Sequence, residues 1–266
     1  MNQRERQISR PGRAARRRRV PGLWLAGVTL FVGLWQVVSL LPNVPPYVLP
    51  SPVATLAALL SDGRLIASHL LATLLAAVGG LAVATGAALL VATVMNASRA
   101  LGEVIYVQMV LSQSVPLIAI APIVLIWFGL GAFAKLVIVS FVCFFPIAVS
   151  TYEGFQTVQT EQLDLLETMG ATRWQCYRHV FVPATLPGIF AGLKIASTYS
   201  VLGAVVGEWL GGTKGMGIYM TRALQSFRTE RLFAAILVVM LASFCLFACV
   251  RWVGRRLNPW VERRNV

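Results

Sequence analysis

Residues 132–151 read AFAKLVIVSFVCFFPIAVST, twenty positions that carry one charge, Lys135. About twenty apolar residues in a helix cover the roughly 30 Å of hydrocarbon in a bilayer. A helix apolar on every side belongs in lipid or in a large core. Runs of comparable length lie near 22–42, 67–95, 104–127, 187–210 and 231–251. The expectation is an all-α polytopic membrane protein with about six transmembrane helices.

The bulk numbers agree. Hydrophobic residues make up 57% of the chain and charged residues 12%, against roughly 25% charged in a soluble domain. Mean hydropathy is +0.73. The net charge of +13 invites a nucleic-acid reading, but its distribution argues for no nucleic acid. Arg4, Arg6, Arg10, Arg13 and Arg16 to Arg19 precede the first run, and Arg251, Arg255, Arg256, Arg263 and Arg264 follow the last. Basic residues clustered outside apolar spans are a topology signal.

Counting Lys and Arg by side gives the direction. With the N-terminus in the cytoplasm, sixteen fall inside and six outside, and Lys194 lies within a span. Both termini are therefore expected inside, as an even number of spans requires. Residues 1–21 form a basic cytoplasmic tail, and 22–266 form one transmembrane domain. The first run is too long for the core of a signal peptide, and it leads into Pro42-Asn43-Val44-Pro45-Pro46. It reads as a retained anchor. Of Cys143, Cys176, Cys245 and Cys249, the last two stand four apart with no histidine or second cysteine pair near them, so the expectation is small buried apolar residues and no metal.

Two segments outside the spans have structure of their own. In the outer segment 43–65, Ser51 can cap a short helix that has Pro52 at its first position. The inner segment 152–186 is longer. Thr160 can cap one helix, Gly170 can end it in the left-handed conformation, and Thr172 with Gln175 has capping-box spacing for a second. Pro183 is expected to end that second helix. Leu163, Leu166 and Met169 fall on one face of the first helix, and Trp174, Tyr177 and Phe181 on one face of the second. In a water-exposed loop such residues need a partner surface.

This stretch resembles the EAA loop of bacterial binding-protein-dependent ABC importer permeases. Gly170 and Pro183 keep the family's spacing of thirteen. Asp164-Leu165-Leu166 falls where Glu-Ala-Ala is expected, with both alanines replaced by leucine. Leu49-Pro50-Ser51-Pro52, Trp127-Phe128-Gly129-Leu130-Gly131 and Gly207-Glu208-Trp209-Leu210-Gly211 are similar to the nitrate/sulfonate/taurine branch. That branch's pattern extends to permeases for thiamine-precursor pyrimidines and riboflavin. The resemblance implies a type I importer permease in the bacterial inner membrane. Its partners would be a separate ABC ATPase subunit, an extracytoplasmic solute-binding protein and a second permease copy. It also implies that Leu163, Asp164, Leu165, Leu166, Glu167, Met169, Gly170 and Ala171 couple to the ATPase.

The chain has no phosphate-binding G-x-x-x-x-G-K-[ST] sequence. No cofactor is expected, and ATP would bind the partner. A secondary transporter is the alternative reading. It would place ionisable groups near the midplane, whereas Lys194 and Glu208 stand 14 positions apart on one helix, about 21 Å. An intramembrane enzyme would need convergent polar groups, which the sequence lacks. Polar residues in spans three and five make Gln113, Ser197, Ser200 and Glu208 the expected lining of the translocation path.

Overall fold

The computed structural model describes residues 21–158 and 160–258. Most of the basic tail, and Arg263 and Arg264, lie outside them. Among the described residues the chain is helical throughout, with elements α1 (Pro21–Ser39), α2 (Pro52–Ser61), α3 (Gly63–Ala97), α4 (Arg99–Gln113), α5 (Leu117–Phe128) and α6 (Ala132–Gln156). These are followed by α7 (Thr160–Thr168), α8 (Arg173–Cys176), a π-turn (Tyr177–Phe181), α9 (Val182–Gly211), α10 (Met216–Gln225) and α11 (Thr229–Leu257). Helices α3, α6 and α11, and the run Arg173–Gly211, are long and apolar enough to cross a membrane. The 19-residue α1 is apolar, but it is about 28 Å long and only just reaches.

The expected third span is not a straight crossing. Helices α4 and α5 meet at 98°. The cause is local: Pro116 has no N–H to continue the ladder and disfavours helical geometry at Val115. Counted as one broken span, the pair brings the total to five, and α1 completes the expected six only on its length.

The core is α6 packed along α9, with α3 packed against both. Glycine sets the α6–α9 distance. A Cβ on Gly188 would lie 2.4 Å from the Ser150 carbonyl oxygen, and one on Gly192 would lie 2.6 Å from that of Pro146. The two backbones touch there, as small residues four apart allow. Inside the seam lie Ala77, Ala84, Ala88 and Ala92 of α3, Val139, Cys143 and Ile147 of α6, and Ala196 and Ala204 of α9. The outward faces keep large apolar side chains such as Leu75, Leu90, Leu241 and Phe244 exposed, which suits lipid.

Candidate functional site

At one end of the bundle, α7, α8 and the π-turn form the hairpin anticipated from the sequence. Gly170 turns the chain at φ +77. Thr172 caps α8 by accepting from the Gln175 N–H, and the Gln175 side chain accepts the Thr172 N–H at 2.7 Å. Trp174 stacks on Tyr177 at 6.0 Å, Tyr177 on Phe181 at 6.3 Å, and Phe181 meets Phe155 of α6 at 6.4 Å. This aromatic column joins the hairpin to the bundle.

Pro183 does not end the second helix as expected. The helix passes through it without interruption, from Arg173 to Gly211. The π-turn absorbs the missing donor: the Val182 N–H reaches back five residues to the Tyr177 carbonyl, which widens the turn just before the proline ring.

The hairpin tip is apolar and uncovered. Leu165 is 62% exposed, Met169 75% and Trp174 67%, whereas Leu166 is half-buried. The outward face is thus Leu165 with Met169, not the expected row through Leu166. Asp164 and Gly170 are exposed, and Ala171 is partly so. Leu163 and Glu167 lie on α7, but their side chains fall outside the described set.

The α4–α5 bend opens a cavity of about 510 Å³ against α6 and α9. Gln113, Ser114, Phe141, Phe145, Ser150 and Tyr199 line it, and no lining residue carries a charge. Phe141 and Phe145 meet edge to face at 5.1 Å. Of the four expected path residues, only Gln113 reaches this cavity. Ser197, Ser200 and Glu208 are fully buried. The two serine hydroxyls donate to their own helix, Ser197 to the Lys194 carbonyl and Ser200 to that of Ser197. Bonded to their own helix, both hydroxyls can be buried without a partner on another helix.

Glu208 instead ties a knot at the end of the bundle opposite the hairpin. Its carboxyl group accepts from the Thr73 hydroxyl at 2.9 Å and from the Gly217 N–H at 2.9 Å. Thr73 in turn accepts the Met216 N–H at 2.8 Å, and His69 Nδ1 lies 2.8 Å from the Gly215 carbonyl. An acidic group thus sits against the first N–H groups of α10, where the helix dipole favours it. Gly215 has φ +138, and a Cβ there would fall about 2.0 Å from the Glu208 carboxyl carbon. A second tie stands nearby: Asp62 pairs with Arg231 at 2.9 Å and accepts from the Tyr219 hydroxyl at 3.0 Å. Burial and the Asp62 carboxylate push the Tyr219 phenol well above its usual range, so it remains a donor at neutral pH.

Sequence reasoning missed His69 and Thr73. Their spacing of four on one span was the available signal, since buried polar groups at that interval need partners. Nothing in the sequence pointed to partners more than 130 positions away.

Known proteins give this geometry its context. The chain is 34% identical to the formylaminopyrimidine transport permease protein ThiX of Halalkalibacterium halodurans, over 87% of this chain and 92% of that one. It is 32% identical to the riboflavin transport system permease protein RibX of Chloroflexus aurantiacus, over 96% of each. It is 30% identical to the taurine transport system permease protein TauC of Escherichia coli, over 88% of this chain and 90% of that one. These relatives are transport subunits, not enzymes. The crystal structure of an amino acid ABC transporter with histidines shares the fold at TM-score 0.56 and 18% identity, covering 76% of this chain and 97% of that one. The family model for the binding-protein-dependent transport system inner membrane component matches residues 84–259. The chain belongs to that family, the membrane-spanning permease subunits of ABC importers, and within it to the branch of the pyrimidine, riboflavin, sulfonate and taurine permeases.

Proposed function

We propose that this permease carries a small planar heterocycle across the bacterial inner membrane. In this reading two copies of the chain enclose the path, and the hairpin at 160–181 couples it to a separate ABC ATPase. The termini and the hairpin face the cytoplasm, and an extracytoplasmic binding protein delivers solute at the knot end. The basic tail at 1–21 stays inside with them.

The observation that carries the coupling role is the uncovered apolar tip on a stiff, doubly capped hairpin. Leu165, Met169 and Trp174 have no reason to stand in water unless another protein covers them. Asp164, Gly170 and Ala171 shape the tip, with Leu163, Leu166 and Glu167 completing α7. Gly170→Pro tests this reading directly. Proline fixes φ near −65°, whereas the turn requires +77. Uptake should be lost while membrane insertion is unchanged; normal uptake by this variant rejects the coupling role.

The bend cavity supports the solute class. A sulfonate or nitrate leaving water needs a cationic partner, and this lining has none. Phe141, Phe145 and Tyr199 suit stacking on a ring, and Gln113 offers both donor and acceptor to ring nitrogens and carbonyls. ThiX and RibX, named for a formylaminopyrimidine and for riboflavin, fit that chemistry better than TauC does. Because Gln113 and Tyr199 stand on an open wall, a second copy is the natural closure. Ser197, Ser200 and Glu208 then support the path from behind. Uptake assays with pyrimidines, flavins, taurine and nitrate separate the classes. Transport of taurine alone would overturn the heterocycle reading.

A further inference from the structure

A second cavity, of about 210 Å³, lies between α9 and α11 towards the hairpin end. Pro187, Phe190 and Val250 give it apolar sides, and Lys194, Arg251, Arg255 and Asn258 give it polar ones. The helices are close there: a Cβ on Gly254 would come within 2.9 Å of the Phe190 ring. Among the described residues that line it, three are cations and none is an acid.

Ordinary explanations cover only part of this arrangement. Arginines in the last turn of α11 complement its dipole and the charge bias of membrane loops. Neither effect accounts for Lys194, which stands in the interior of α9, carries that helix's one positive charge and is half-buried. Neither accounts for Asn258, which is 6% exposed and has a buried Oδ1 without a hydrogen-bond partner. A buried amide without a partner is costly. The two ends of an asparagine amide exchange by a simple flip, so Asn258 can turn its NH₂ into the cavity. Two cations from different helices and one amide donor, set beside apolar walls at a helix end, match the chemistry of a phosphate anion carried on a hydrocarbon tail.

We propose that this cavity seats the phosphate of an anionic phospholipid. Lys194 and Arg251 bind the phosphate from opposite helices, and Asn258 donates to it. Pro187, Phe190 and Val250 border the acyl chains. The site is separate from the bend cavity, and it stands whatever solute the permease carries.

Native mass spectrometry of the full-length chain, released from detergent with added lipid, tests the site. Phosphatidylglycerol should remain bound where phosphatidylcholine is lost. The double variant Lys194→Gln with Arg251→Gln should retain about tenfold less phosphatidylglycerol. Lys194→Arg, which keeps the charge, should retain it. Arg99→Gln removes an exposed cation paired with Glu103 at 3.1 Å and should change nothing. Equal retention by the double variant, or an equal loss in Arg99→Gln, overturns the site. Displacement of the lipid by equimolar inorganic phosphate would assign the pocket to the free anion and overturn the lipid source.

Discussion

The two ends of this bundle solve opposite problems with opposite residues, polar groups at one and apolar side chains at the other. At the knot, Glu208, Thr73 and the first N–H groups of α10 are buried and bonded to one another. At the hairpin, Leu165, Met169 and Trp174 are uncovered, and their helices are held by local caps and an aromatic column. The knot is complete within one chain. In the proposed reading, the hairpin is finished only by the ATPase that covers it. Stability and function should therefore separate along the molecule: damage to the knot unfolds the permease, and damage to the hairpin tip uncouples a folded one.

Substitutions ranked by their effect on stability probe that separation. Gly215→Val should have the largest effect, because its Cβ would overlap the Glu208 carboxyl group and its φ suits glycine alone. Membranes should then contain little folded permease by fluorescence-detected chromatography. Glu208→Ala strands the Gly217 N–H, while the Thr73 hydroxyl keeps the His69 carbonyl at 3.2 Å, and should cost about 1–3 kcal/mol, seen as a lower unfolding temperature in detergent. Glu208→Gln, which keeps an acceptor, should lose less than half of that; equal losses would mean that shape rather than hydrogen bonding secures the knot. Thr172→Ala removes the capping box of α8 and should cost about 1 kcal/mol, too local to move the unfolding temperature by more than a few degrees. Leu165→Ser with Met169→Ser should leave stability within about 0.5 kcal/mol yet abolish solute-stimulated ATP hydrolysis in the assembled transporter. A stable but fully active double-serine variant would break the comparison at its functional end.

The parts of the fold that could be read from sequence were those set by local rules. The apolar runs followed from bilayer thickness, the Gly170 turn from backbone sterics, and the Thr172–Gln175 and Ser51 caps from hydrogen-bond spacing. The parts that could not were those in which two local rules competed. Pro183 carries a strong stop signal, yet a single widened turn at 177–181 removes the conflict. Pro116 sits in an apolar run long enough to cross, and the sequence does not say whether it bends the span slightly or turns it through 98°. The role of Glu208 depended on Thr73 and His69, which share no local pattern with it. Polar residues in a span announce that they have partners, but not whether those partners are protein or solute.

The uninterrupted run from Arg173 to Gly211 carries a mechanical consequence. Its 39 residues make a rod about 58 Å long, pressed against α6 near its middle at Gly188 and Gly192. The contact continues towards Gly211, where a Cβ on Gly203 would lie 3.5 Å from the Val139 backbone and one on Gly207 3.7 Å from that of Lys135, so α6 and α9 form one stiff pair. In the proposed coupling, a push at the Arg173 tip would reach the opposite face of the bilayer as motion of the whole pair, with no relay of intervening side chains.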